Sequence, residues 1–70
     1  MELRDILARN IRIARAALRI SQEALGERAG LTRNYIGEIE RAEKAATVDT
    51  IETIAAALGV PPDRLLRRED

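Results

Sequence analysis

The feature of this sequence that most constrains its fold is a pair of short helix patterns between residues 21 and 40, separated by a glycine. Ser21 precedes the first pattern, and serine is among the residues that best cap a helix N-terminus. Gly30 follows that pattern, at the place where the C-terminus of a helix takes up a positive φ. Thr32 offers a second N-terminal cap directly afterwards. The stretch therefore predicts two short helices joined by a tight turn.

The length and composition restrict the possible functions. Seventy residues suffice for one small domain and leave no room for a second, so residues 1–70 are predicted to form a single domain. Cysteine and histidine are both absent. This removes disulfides, the usual metal ligands and the commonest general base. The sequence therefore predicts no catalytic residue, no metal site and no cofactor, and it argues against an enzyme.

The residue types also indicate the fold class. Alanine, leucine, isoleucine, arginine and glutamate dominate, whereas phenylalanine and tryptophan are missing, and this composition favours an all-α fold. No apolar run approaches the roughly 20 residues that span a bilayer, and no signal-peptide pattern opens the chain. We therefore expect a cytoplasmic protein without a membrane partner.

Hydrophobic periodicity and caps divide the chain into helices. The sequence predicts a compact five-helix domain, with helices over residues 2–18, 21–29 and 33–41, a fourth between Thr47 and Gly59, and a fifth from Pro62 to Leu66. Pro62 suits the first position of a helix because its missing amide hydrogen costs nothing there. Ile36 and Ile39 give the third helix one narrow buried side.

The charge distribution is uneven although the net charge is zero. Residues 1–20 carry five arginines against two acids, and the rest of the chain is acidic overall. Four of those arginines recur at helical spacing: Arg9, Arg12, Arg15 and Arg19. Such a stripe by itself predicts a solvated face. A neutral total also predicts weak non-specific binding to DNA unless the basic groups share one face.

The ordered set of residues in this chain resembles the lambda-repressor-like helix-turn-helix family, the Cro/CI or XRE-type DNA-binding domains. The resemblance runs from about Leu7 to Leu66. It is carried by Ile11, Arg15, Ser21-Gln22-Glu23-Ala24-Leu25, Ala29-Gly30-Leu31-Thr32, Tyr35-Ile36-Gly37-Glu38-Ile39-Glu40, Thr50-Ile51, Ala55, Ala57-Leu58-Gly59-Val60 and Leu65. A lone Ser-Gln-Glu would be a weak signal, but the whole set at these spacings is specific.

The resemblance implies that the third helix lies in the DNA major groove while the second crosses the backbone. It places four residues against base edges: Thr32, Arg33, Asn34 and Glu38. It places four others against phosphates: Gln22, Tyr35, Arg41 and Lys44. It also implies a structural ion pair between Arg15 and Glu40, linking the first helix to the end of the third.

The side chains themselves suit these roles. Arg33 can donate bidentately to guanine and Asn34 can pair with adenine. Glu38 can accept from cytosine, or can instead orient a neighbouring arginine. Gly37 falls on the same outward side, where the absence of a side chain is expected to leave the helix open to a groove wall. The alternative is that the arginines and Glu38 are ordinary solvated residues, and that Tyr35 only fills the core.

The chain departs from the family pattern just after the third helix. Ala42 stands where the family usually has glycine, and Ala46 where it often has proline. Ala42 therefore either adopts a strained left-handed conformation or lets the third helix run further. The geometry of residues 41–46, and a phosphate contact by Lys44, depend on which alternative holds.

The leading functional hypothesis is a small transcription regulator that binds a palindromic double-stranded DNA operator as a homodimer. The alternative is an antitoxin or adaptor module that acts mainly through a protein partner. The expected dimer surface is the end of the chain around Leu65 and Leu66, with Ile6 and Ile13 of the first helix as a second candidate.

Overall fold

The computed structural model describes residues 2–68 and contains only helices in that range. The elements are α1 (Leu3–Leu18), α2 (Gln22–Ala29), α3 (Arg33–Glu40), α4 (Val48–Leu58) and a 3₁₀ helix (Pro62–Leu66). The predicted all-α class is confirmed. The fifth predicted helix is present as a 3₁₀ helix, which is the usual form for so short a segment.

Three side-chain caps begin the inner helices where the sequence predicted them. The Ser21 hydroxyl accepts a hydrogen bond from the Ala24 amide at 2.9 Å. Thr32 accepts in the same way from Tyr35 at 3.1 Å, and Thr47 from Thr50 at 3.0 Å. Each cap satisfies an amide that has no partner within its helix, and so it fixes the first turn.

The C-terminal ends are less regular. Gly30 and Gly59 end α2 and α4 with φ of 70° and 74°, as predicted. Arg19, which ends α1, also has a positive φ of 57°. That conformation strains a residue with a Cβ atom, and the sequence did not indicate it.

Helix α3 ends at Glu40, one residue before the predicted end, and Ala42 takes the strained alternative with φ of 59°. The Ala42 amide donates to the Ile39 carbonyl at 3.0 Å, and the Glu43 amide donates to the Glu38 carbonyl at 2.9 Å. These two bonds form the Schellman turn, which usually has glycine where this chain has Ala42.

The core lies where the helices meet. It comprises Leu7, Ile11, Leu25, Ile36, Ile39, Ile54, Ala55, Leu58 and Leu65. Helix α1 packs against α3 and the 3₁₀ helix, and α2 packs against α3 and α4. One side of α3 is therefore held between α1 and α2, and the opposite side faces outward.

Two residues of the expected dimer surface belong to this interior. Leu65 is 1% exposed and Ile6 is 3% exposed, so neither is available to a second subunit. Leu66 is half-buried against the core. Ile13, by contrast, is 54% exposed.

A single polar side chain joins the two ends of the described chain. The Asn10 amide group lies buried on α1 and donates to the carbonyl oxygens of Leu65 and Arg67, both at 2.9 Å, and more distantly to that of Arg64 at 3.4 Å. Carbonyls at the end of a helix otherwise lack partners. Asn10 thus holds the 3₁₀ helix against α1.

Candidate nucleic-acid interface

The turn between α2 and α3 depends on a close approach at Gly26. The Leu31 amide donates to the Gly26 carbonyl at 2.8 Å. A Cβ atom at Gly26 would lie 2.5 Å from the Leu31 carbonyl oxygen, a distance that real Cβ atoms do not tolerate. Gly26 therefore sets how closely the turn folds back on α2. This role of Gly26 was not predicted, although a glycine inside a helix pattern is a signal for a close backbone approach.

Helix α3 presents two different sides. Ile36 and Ile39 are buried, whereas Thr32, Arg33 and Asn34 are exposed at its N-terminal end. The Arg33 and Asn34 side chains make no hydrogen bond or ion pair within residues 2–68. Their donors are therefore available to a ligand, and the Thr32 oxygen is the cap that begins the helix.

Gly37 does not leave an open stretch on the outward side of α3, contrary to expectation. It is buried, and a Cβ atom there would lie 3.0 Å from Nη1 of Arg41 and 3.7 Å from the side-chain amide of Gln22. Two side chains predicted to meet phosphates thus lie over Gly37. The missing side chain admits these neighbours rather than a groove wall.

Arg15 and Glu40 form an ion pair with two hydrogen bonds. Nε of Arg15 donates to Oε2 of Glu40 at 2.7 Å, and Nη2 donates to Oε1 at 3.0 Å. The Glu40 side chain is 3% exposed and that of Arg15 is 23% exposed. The bond to Glu40 raises the pKa of Arg15, and burial opposes it. The pair holds the end of α3 against α1.

Further donors converge on Glu40. Nε2 of Gln22 donates to Oε1 of the same carboxylate at 3.1 Å, and Nη1 of Arg12 donates to the Glu40 carbonyl. Arg12 is exposed as the predicted solvated stripe requires, whereas Arg15 is half-buried. Both guanidinium groups bind the end of α3, so this part of the stripe also has a structural role. Through Gln22 the network also reaches the first turn of α2.

Two predicted phosphate contacts are paired with acids beside them. Nε and Nη2 of Arg41 donate to the Glu43 carboxylate at 3.0 and 3.1 Å. Nζ of Lys44 lies 3.5 Å from Oε1 of Glu38. The ion-pair partner of Glu38 is thus Lys44, and not an arginine, which was the alternative to a cytosine contact for this residue.

Tyr35, the one aromatic residue of the chain, is half-buried and packs against the core. Its backbone amide binds the Thr32 cap. Packing against the core agrees with the plain alternative for this residue, and it leaves a role for the hydroxyl as a separate question.

Together, the capped α2, the turn at Gly30 and an α3 with an exposed N-terminal end define a helix-turn-helix protein. The helix-turn-helix family model matches residues 11–65. The chain belongs to this family, in its XRE-type branch of DNA-binding transcription regulators. Because these are regulators rather than enzymes, the family confirms the prediction against an enzyme.

Similar proteins cover nearly the whole chain. The control protein C.SmaI of Serratia marcescens is 42% identical over 69 residues, which are 99% of this chain and 82% of that protein. The crystal structure of the hypothetical transcription factor NHTF from Neisseria superimposes with a TM-score of 0.92 at 41% identity, over 94% of this chain and 76% of that one. The restriction-modification controller protein C.AhdI of Aeromonas hydrophila gives 0.85 at 32% identity, over 89% and 90%.

None of the helices in residues 2–68 combines the length and the apolar character that a membrane span requires.

Proposed function

We propose that this protein is a transcription regulator that binds a palindromic DNA operator as a homodimer, with α3 in the major groove. The observation that carries the proposal is the first turn of α3, where Arg33 and Asn34 are exposed and unengaged within the described chain. Both side chains suit the edges of purines in the major groove. Ile36 and Ile39 anchor the other side of the helix and so fix which side faces the DNA.

In this arrangement Thr32, Arg33 and Asn34 contact base edges. Glu38 contacts a base only if its carboxylate leaves Lys44, which lies 3.5 Å away. A cytosine amino group would then replace the ammonium group as the donor. Glu38 is therefore the weakest of the four proposed base contacts.

Gln22 and Tyr35 serve the phosphates beside the groove. Nε2 of Gln22 carries two hydrogens, and the bond to Glu40 uses one of them. The second remains for a phosphate oxygen. The half-buried ring of Tyr35 packs against the core, and we assign its hydroxyl, which can donate a hydrogen bond, to the DNA backbone. Arg41 and Lys44 complete the proposed phosphate set.

The short length of α3 supports a homodimer. Helix α3 has eight residues, and one such helix contacts only a few base pairs, so two half-sites are needed for specificity. The large apolar side chains exposed on the described surface are Leu3, Ile13, Leu18 and Val48. These, rather than Leu65 and Ile6, are the candidates for the dimer surface.

The relatives support a more specific role. The C.SmaI protein is a control protein and C.AhdI is a restriction-modification controller, and this chain covers most of both. We therefore infer that the operator controls restriction-modification genes.

Selection of bound sequences from a random pool of duplex DNA tests the proposal. We expect enrichment of a pseudo-palindrome whose half-sites lie about one DNA turn, roughly 10 base pairs, apart. Sedimentation equilibrium should show dimers at micromolar concentration. A monomer at high concentration contradicts the homodimer. Failure to enrich any sequence at low salt would favour the alternative, a module that acts through a protein partner.

A further inference from the structure

The Arg41 guanidinium group at the C-terminal end of α3 is paired with a carboxylate, in the two-bond arrangement that it would also form with a phosphate. The Arg41 and Glu43 side chains are 57% and 55% exposed, and they meet through two parallel hydrogen bonds of 3.0 and 3.1 Å. The bonds use the Nε and Nη2 edge of the guanidinium group. Arginine binds phosphate oxygens bidentately in the same fork geometry. A carboxylate thus occupies the edge that a phosphate would use.

Arg41 lies on the side of α3 that faces the proposed groove. It follows Asn34 by seven residues, which is close to two full turns of a helix, and both residues are exposed. Its Nη1 atom lies over Gly37, 3.0 Å from where a Cβ atom would be. The guanidinium group therefore extends along the outward side of α3.

The backbone sets the position of Glu43. The Schellman turn bends the chain at Ala42, with φ of 59°, and ties the Glu43 amide to the Glu38 carbonyl at 2.9 Å. This turn brings the Glu43 side chain back beside Arg41. The bond to Arg41 lowers the pKa of Glu43, so the carboxylate is ionised at neutral pH. Glu43 is thus a fixed negative charge at the end of the reading helix.

We infer that Glu43 is an internal counter-ion that Arg41 must release before it binds a DNA phosphate, so that Glu43 lowers the affinity for every DNA sequence. This inference rests on the proposed function, because it requires that Arg41 meets the DNA backbone. Glu43 thereby sets the affinity without choosing the sequence, since phosphate contacts carry no base information.

The release is feasible because the pair is exposed. An ion pair between solvated side chains contributes little to stability, so little is lost when it opens. A phosphate offers Arg41 the same two hydrogen-bond acceptors as the carboxylate. After release, however, the Glu43 carboxylate remains close to the phosphate. The negative charges of the carboxylate and the phosphate repel each other, which lowers the affinity for DNA further.

The test compares Glu43→Gln with Glu52→Gln. Both variants gain one unit of charge. Glu52 is exposed on α4, and α4 packs against α1, α2 and the 3₁₀ helix. Binding to a random-sequence duplex of about 30 base pairs is followed by fluorescence anisotropy over a range of salt concentrations. Circular dichroism melting checks that each variant is folded.

We expect Glu43→Gln to bind about threefold to tenfold more tightly than the unsubstituted protein at low salt. The plot of log affinity against log salt should become steeper by about one. Glu52→Gln should change the affinity less than twofold. In an Arg41→Ala background, Glu43→Gln should have no more effect than Glu52→Gln.

The other results overturn the inference. Equal effects of Glu43→Gln and Glu52→Gln would show a general charge effect. Weaker binding by Glu43→Gln would show that Glu43 positions Arg41 for the DNA. An effect that persists without Arg41 would exclude release of that arginine. If no variant, nor the unsubstituted protein, binds duplex DNA at low salt, the proposed function fails, and the inference falls with it.

Discussion

At the scale of single residues, Glu40 has the largest structural role in the interface. It is 3% exposed and accepts from both Arg15 and Gln22. Its backbone carbonyl accepts from Arg12. One carboxylate therefore connects α1, the start of α2 and the end of α3, and it fixes α3 in the orientation that a groove would meet.

Substitution of Arg15 tests the strength of this connection. Arg15→Ala leaves the Glu40 charge buried with only Gln22 as a side-chain partner. We expect a loss of about 2–4 kcal/mol in the free energy of unfolding, below the full cost for a buried pair because Arg15 is partly solvated. Urea unfolding measures the loss. Arg4→Ala, at an exposed position of α1, should change stability by less than about 0.5 kcal/mol. Equal losses would contradict the role of the ion pair.

The positive φ of Ala42 strains the turn after α3. Ala42→Gly removes a Cβ atom from a left-handed conformation and should stabilise the protein by up to about 1 kcal/mol, after the entropy of glycine in the unfolded chain is deducted. Ala45→Gly is the control, since Ala45 lies in the same connection without a positive φ. This control should be slightly destabilising. A loss of thermal stability in Ala42→Gly would show that Ala42 is not strained.

The roles of individual residues could be predicted only in part. The buried positions of Ile36 and Ile39 follow from spacing alone. The cover over Gly37 and the pairing of Arg41 with Glu43 do not, because they depend on where long flexible side chains lie after the chain has folded. The turn at Ala42 was open between two conformations, since local sequence allows both and the packing around α3 decides.

Among the elements, the turn between α2 and α3 determines how α3 is positioned against α2, and therefore which surface α3 presents to DNA. Gly26 allows the turn to approach α2, and Gly30 reverses the chain direction with φ of 70°. Both glycines act through the backbone, so neither role depends on a side chain that contacts DNA.

Two glycine-to-alanine substitutions separate close approach from helix propensity. Gly26→Ala forces a Cβ atom against the Leu31 carbonyl, and we expect a loss of about 1–3 kcal/mol together with weaker DNA binding. At Gly37 the nearest atom is the flexible end of Arg41. Gly37→Ala should therefore leave stability unchanged or raise it by up to about 1 kcal/mol. Thermal melting compares the variants, and a Gly26→Ala variant that melts at the temperature of the unsubstituted protein would contradict the close approach.

The elements themselves could be predicted well where caps define them. Ser21, Thr32 and Thr47 begin α2, α3 and α4, because N-terminal caps are local interactions between neighbouring residues. The sequence did not show the left-handed Arg19 or the 3₁₀ form of the last helix. Those depend on packing against distant parts of the chain, which local patterns do not contain.

At the scale of the whole molecule, Asn10 joins the two ends of the described fold. It lies 55 residues from Leu65, whose carbonyl it binds at 2.9 Å. A domain this small buries little apolar surface in total, so a buried polar contact between the two ends of the described fold contributes substantially to its stability. Helical periodicity predicts an apolar residue at such a position, so this contact could not be predicted from local patterns.

Asn10→Asp tests the contact with a minimal change in shape. The amide donors become carboxylate oxygens that face carbonyl oxygens, so we expect a loss of at least about 2 kcal/mol at neutral pH. The loss should shrink as pH falls and the new carboxyl becomes protonated, because the protonated group can donate one hydrogen bond. Asn34→Asp makes the same change at an exposed position in the first turn of α3, where a carboxylate suits the helix dipole, so it should not destabilise the protein. Equal effects would contradict the buried contact.

The affinity of Arg33→Ala for the selected operator measures whether the first turn of α3 contacts bases. Arg28→Ala, an exposed arginine of α2, is the control. We expect Arg33→Ala to lose about 1–3 kcal/mol of operator binding per half-site and to relax the preference at one base pair. Its affinity for random DNA should fall much less. Unchanged operator selectivity in Arg33→Ala would contradict a base contact by the first turn of α3.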